Sequence, residues 1–113
     1  MHEVGIIQNA LAMAVEEAQK QKAGRIVRME MRIGRMSGVV SDALRFAFEV
    51  VSQGTLAEGA TLEITEAPVS CRCRACQHDF EPAPDNLLCP ECGASDFELR
   101  RGREIELASL DVS

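Results

Sequence analysis

The chain has 113 residues and a formal net charge of −6, and it is 46% hydrophobic but only 4% aromatic, with no Trp or Tyr. That length suits one ordinary domain, with or without a small satellite, whose core must be built from Val, Ile, Leu, Met and Ala. The acidic balance argues against a nucleic-acid partner, because nonspecific affinity for phosphate comes largely from cationic neutralisation. No apolar run approaches the roughly 20 residues that span a bilayer, and the start lacks a basic region followed by an apolar stretch. No membrane partner is therefore expected, and cysteines at metal-like spacing fit a reducing, cytoplasmic compartment better than a disulfide scaffold.

From Val4 onward, Val4, Ile7, Leu11, Val15 and Ala18 recur at three- and four-residue steps, which predicts a helix stopping near Gly24. The period then changes. In Arg25 to Ile33 the residues Val27, Met29, Met31 and Ile33 alternate with Arg28, Glu30 and Arg32, the pattern of a half-buried strand in which the methionines fill core. Gly34 to Gly38 breaks this strand. Ser41 is a plausible cap for a second helix, with Leu44, Ala47, Phe48 and Val51 facing inward and Gly54 as its stop. A second strand is expected at Ala60 to Glu66, and Pro68 marks its exit. The stretch Glu104 to Val112 has the pattern of a third strand, but Ile105 and Leu107 are out of phase with Leu110 and Val112. A bulge near Ala108 and Ser109 reconciles them.

Between the second and third strands lies CRCRACQHDFEPAPDNLLCPECG, from Cys71 to Gly93. Cys73 and Cys76 form one C-x2-C pair, and Cys89 and Cys92 form a second. Two such turns can present four thiolates tetrahedrally to one zinc ion, which makes a zinc ribbon the leading reading and disulfide pairing the lesser one. Cys71 is either a competing ligand or an unpaired thiol, and it is ranked as a spare. His78 can replace a sulfur in such a site, yet with four cysteines available it reads as a surface residue. The expected fold is therefore α+β: a small sheet of about three strands covered by two helices, with an inserted four-cysteine zinc-ribbon domain. Residues 1–69 and 101–113 make the α+β domain, and 70–100 make the ribbon.

A zinc held by four thiolates has no open coordination position and cannot readily activate water. No Ser-His-Asp or Cys-His nucleophile set, P-loop or dinucleotide fingerprint is present in the sequence, so an enzyme is not expected. The opening Met1-His2-Glu3 offers other chemistry. A terminal amine, the His2 amide nitrogen and the His2 imidazole can close adjoining chelate rings around Ni(II) or Cu(II). The bland alternatives are a frayed terminal histidine and, at Glu3, a carboxylate favouring the helix dipole.

Taken together, the opening Met1-His2-Glu3, the Ile33-Gly34 strand end, Phe46-Ala47-Phe48-Glu49 and Ala57-Glu58-Gly59 combine with the pairs Cys73/Cys76 and Cys89/Cys92 and the closing Glu104 to Leu110 strand. With these features the chain resembles, end to end, the HypA/HybF family of nickel-insertion accessory proteins for NiFe-hydrogenase maturation. The resemblance implies a nickel metallochaperone with two unlike metal sites. His2 would hold nickel as transferred cargo, helped by backbone nitrogens and by Glu3, while Cys73, Cys76, Cys89 and Cys92 would hold structural zinc. It also implies a nickel-delivery GTPase as partner and the hydrogenase large-subunit precursor as recipient. Some family members carry a carboxylate before the second helix, where this chain has Val40, with Asp42 two residues later. Two other readings stay open at this point. One is a zinc-ribbon module for protein or nucleic-acid interaction, supported by Arg100, Arg101 and Arg103; the other is a rubredoxin-like iron site.

Overall fold

A computed structural model describes residues 3–83 and 85–113. It contains two three-stranded sheets, one covered by both helices and one built from the cysteine-rich stretch. In chain order the elements are α1 (Glu3–Lys20), β1 (Ile26–Gly34), α2 (Ser41–Val51), β2 (Thr61–Ala67), β3 (Ser70–Cys73), β4 (Asp79–Phe80), β5 (Phe97–Arg101) and β6 (Ile105–Val112).

The first sheet has the order β2-β1-β6. β1 lies at its centre, parallel to β2 and antiparallel to β6. Parallel neighbours need a crossover, and α2 supplies it, so β1, α2 and β2 form a βαβ unit to which β6 returns after the ribbon. Ile7, Leu11 and Ala14 of α1, Met29 and Met31 of β1, and Leu44 and Phe48 of α2 lie in one buried core. Both β1 methionines are core residues, as their alternation implies.

Several local expectations shift. The helix α1 ends at Lys20 rather than near Gly24. Lys22 takes the left-handed conformation at φ 57, and the Ala23 amide donates to the Ala18 carbonyl at 2.9 Å. With Lys22 donating to Gln19, this is a Schellman-type ending in which a lysine occupies the place glycine usually takes. Ile7, Leu11 and Ala18 are buried as their spacing implies and Val15 packs partly buried against the core, with Ala10 and Ala14 joining them, whereas Val4 is 52% exposed.

On β1 the register shifts between Ile26 and Arg28, so Ile26 is fully buried and Val27 turns outward. A second shift sets Glu30 opposite Ser109 and Met31 opposite Leu107, leaving Ala108 as the extra residue of β6. This is the bulge that the phase change in the sequence demands, and it brings Leu107, Leu110 and Val112 against the core. The N-cap of α2 is Val40 rather than Ser41, and no side chain caps it.

The face of the sheet away from the apolar core carries a polar network centred on Arg28. Its guanidinium donates to Asp111 and to Glu63, both at 2.8 Å, and to the Ser109 hydroxyl at 3.0 Å. Thr65 and Ser109 donate to the two oxygens of Glu30 at 2.7 and 2.8 Å. Those hydroxyls, followed by the charges of Arg28 and Arg32, outweigh partial burial and hold Glu30 below the usual carboxylate range.

The second sheet has the order β4-β3-β5. The two sheets meet where the chain leaves β5 for β6. Gly34 passes so close to Gly102 that a Cβ at Gly34 would lie 2.1 Å from the Gly102 carbonyl oxygen. The Met36 amide donates to that oxygen at 2.7 Å, and the Gly34 amide donates to the Glu104 carbonyl at 2.7 Å. Arg35 spans the junction, with Glu66 of β2 at 3.3 Å and Glu81, just after β4, at 3.2 Å.

Candidate metal centre

The cysteine-rich sheet has a small core. Its buried members are Val69, Cys71, Cys73, Phe80 and Cys89, three of the five being cysteines. Phe80 and Phe97 meet edge to face at 6.0 Å between ring centres. Apolar area of that extent cannot hold a sheet by itself, and small domains of this kind draw their stability from a metal or a disulfide.

Both C-x2-C turns are built alike. In the first, the Cys73 amide donates to His78 and the Gln77 amide donates back to Cys73, each at 2.9 Å. In the second, the Cys89 amide donates to Ala94 at 2.9 Å and the Gly93 amide to Cys89 at 2.8 Å. The residue after the second cysteine adopts positive φ in each, 66° at Gln77 and 75° at Gly93. The two turns are thus a structural repeat that the sequence hides, because only one of them uses glycine at the strained position.

The turns face each other. Cys73 Sγ lies 3.5 Å from Cys92 Sγ, and Cys76 Sγ lies 3.6 Å from Cys89 Sγ. All four sulfurs fall within 4.8 Å of one another. A tetrahedral zinc with Zn–S bonds of about 2.3 Å sets its sulfurs about 3.8 Å apart, so the arrangement fits that ion with small adjustments. Disulfide bonds are about 2.05 Å long, and all five cysteines are free thiols, which disposes of disulfide pairing in this structure.

The electrostatics of the thiols favour a cation. Amide hydrogens of Cys76 and Ala75, against the effect of burial, bring Cys73 down to about 7. At Cys89 burial pushes the thiol up, but the amides of Cys92 and Glu91 outweigh it and leave the group below its ordinary value. At Cys76 the His78 amide pulls down, yet burial and the neighbouring thiols drive the group up to about 12. Cys92 is raised too: the Ala94 amide pulls down, and the Cys73 thiol and burial prevail. Four sulfurs this close cannot all ionise without a positive charge among them, and a divalent cation is the group that permits it.

Cys71 is fully buried in the small core and stands outside the group of four sulfurs. Burial pushes its thiol up, so it behaves as a packing residue. His78 is exposed and stands 3.9 Å from Glu91 across the two turns, on the surface as its sequence context suggests.

At the other expected site, Met1 and His2 lie outside the described residues. Glu3 begins α1, and its Oε2 accepts a hydrogen bond from the Val40 amide at 3.2 Å. The first described residue of α1 therefore stands beside the start of α2. Sequence reasoning did not anticipate this pairing of residues 3 and 40, nor the roles of Gly34, Arg35 and Gly102 at the junction. Isolated glycines at strand ends were the available signal for that close approach. No helix among the described residues is long and apolar enough to cross a membrane.

Comparison with known proteins finds matches along the whole chain. Residues 1–112 match the family described as hydrogenase/urease nickel incorporation, metallochaperone, hypA. The hydrogenase maturation factor HypA of Picosynechococcus sp. is 46% identical over 112 residues, covering 99% of both chains. That of Dehalococcoides mccartyi strain CBDB1 is 38% identical, covering 99% of this chain and 94% of its own. The solution structure of the Ni metallochaperone HypA from Helicobacter pylori superposes with a TM-score of 0.70 at 30% identity, covering 99% of this chain and 97% of that one. The chain belongs to the HypA family of nickel-incorporation metallochaperones, accessory factors of hydrogenase maturation rather than enzymes.

Proposed function

We propose that the chain carries Ni(II) at its N-terminal end and holds a structural zinc in its ribbon. Cys73, Cys76, Cys89 and Cys92 are the zinc ligands. His2, with neighbouring backbone nitrogens and with Glu3 as a carboxylate ligand, holds the nickel. Residues 1–69 and 101–113 act as the nickel-carrying unit, and residues 70–100 as the zinc unit. Delivery runs to the NiFe-hydrogenase large-subunit precursor with the help of a nickel-delivery GTPase, and it takes place in the cytoplasm.

The observation that carries this reading is the convergence of four sulfurs, which by themselves fill the coordination positions of a tetrahedral ion. A closed site of soft donors suits a resident metal. Cargo that must be surrendered needs a different set of ligands, and nitrogen donors suit Ni(II) and release it on protonation. Glu3 supports the assignment by its place beside Val40 at the entry to both helices.

The test is nickel titration of the zinc-loaded protein and of His2→Ala, with metal analysis of each. The expected result is one zinc and no iron in both proteins, with nickel binding lost only from the variant. Unchanged nickel affinity in His2→Ala would exclude the N-terminal site.

A further inference from the structure

The chain is acidic, yet one exposed segment is not. Arg100, Arg101 and Arg103 line a shallow concavity of about 250 Å³ with Leu99, Gly102 and Glu104. Elsewhere Arg28, Arg35, Arg72 and Arg74 each stand within ion-pair distance of a carboxylate. Among the described residues, Arg100, Arg101 and Arg103 make no ion pair. Arg25, Arg32 and Arg45 make none among those residues either but are far apart in sequence, so what sets the patch apart is the clustering of its arginines.

The backbone holds these arginines in place. Gly102 adopts φ 130 and is fixed on both sides: its carbonyl accepts from Met36, and its amide donates to Glu104 Oε1 at 2.8 Å. That second bond turns the adjacent carboxylate back onto the main chain. The strand pairing also breaks here, with Ser70 opposite Arg101 and Cys71 opposite Leu99, so Arg100 is an extra residue. Such a bulge re-aims side chains that would otherwise alternate, which accounts for neighbouring arginines lining one concavity. The backbone sets where the three side chains start, and the planar fork of each guanidinium can make two parallel hydrogen bonds to one carboxylate.

We propose that Arg100, Arg101 and Arg103 form a docking site for an acidic segment of a partner protein. Charge complementarity selects that occupant. A long polyanion such as nucleic acid would meet the rest of a surface with formal net charge −6, whereas a short acidic segment engages the patch alone. Stacking platforms are also absent from this place, because Phe80 and Phe97 are packed against each other inside the ribbon. The inference is independent of where the nickel binds.

The test uses the full zinc-loaded chain and amide chemical-shift mapping. The probes are a short peptide of alternating Glu and Gly and, separately, a single-stranded oligothymidylate. The peptide is expected to perturb amides of residues 99–104 and to bind about tenfold more weakly to Arg101→Glu at low salt. Arg25→Glu changes net charge equally but lies at the opposite end of β1 from the Gly34–Gly102 crossing, and it should leave the peptide affinity nearly unchanged. Shifts scattered over the surface, equal weakening by Arg25→Glu, no binding, or tighter binding of the oligonucleotide would each overturn the proposal. Zinc content and an unchanged spectrum away from residues 99–104 check that each variant is folded.

Discussion

The two sheets have the same number of strands and are held together by different means. The helix-covered sheet buries Ile7, Ile26, Met29, Met31 and Leu44 completely, side chains each worth about 1.5–3 kcal/mol when removed from water. The core of the second sheet is chiefly cysteines, joined by Phe80 and by Val69 from the approach to β3. One unit is organised by apolar area, the other by four converging sulfurs. The two sheets should therefore answer differently to loss of metal, the first relying on buried apolar side chains and the second on its sulfur cluster.

The largest effect expected from this contrast is on zinc removal. Chelation should cost the ribbon on the order of 10 kcal/mol of apparent folding free energy while leaving the helix-covered sheet intact. Amide spectra before and after chelation check this. Loss of dispersion for residues 70–100 with retention of α1, β1 and α2 is the expected outcome, and joint collapse would mean that the two units fold as one.

Gly34→Ala attacks the place where the units touch. Main-chain atoms of Gly102 and Arg103 lie within 2.7 Å of the new Cβ, and main chain cannot swing aside as a flexible side chain can. A loss of about 3 kcal/mol is expected in thermal unfolding, with zinc stoichiometry unchanged. Wild-type stability in this variant would show that the crossing is loose.

The smallest effect is confined to the polar face of the helix-covered sheet. Glu30 is held below its ordinary range in the folded chain. It therefore contributes stability that is fully present above the unfolded carboxylate value of about 4.3 and is lost as pH falls through its lower folded value. Comparing thermal unfolding of wild type and Glu30→Gln, the wild type should lead at neutral pH and the gap should narrow as pH falls below the unfolded carboxylate value. A gap that widens on acidification would contradict the sign.

The sequence made the helix-covered sheet legible where burial is one-sided. The Met29 and Met31 alternation and the phase change around Ala108 both carry into the structure, because a strand with one wet face advertises its register. Details set by tertiary contact did not show. Ile26 replaces Val27 in the core through a register shift that no local pattern encodes, and Val40 caps α2 although Ser41 has the better capping side chain. The four-cysteine centre was readable from spacing alone, since two ligands on one tight turn constrain geometry strongly. The repeat within it was not, because Gln77 stands where its twin turn has Gly93. Glu3 meeting Val40 joins residues 37 positions apart, which spacing cannot disclose.

The central claim is that one protein keeps two metals in unlike coordination. X-ray absorption at the zinc and nickel edges of the doubly loaded chain tests it most directly. The account predicts four sulfurs near 2.3 Å around zinc and only nitrogen and oxygen donors around nickel. Sulfur in the nickel shell, or nitrogen replacing sulfur at zinc, would contradict it.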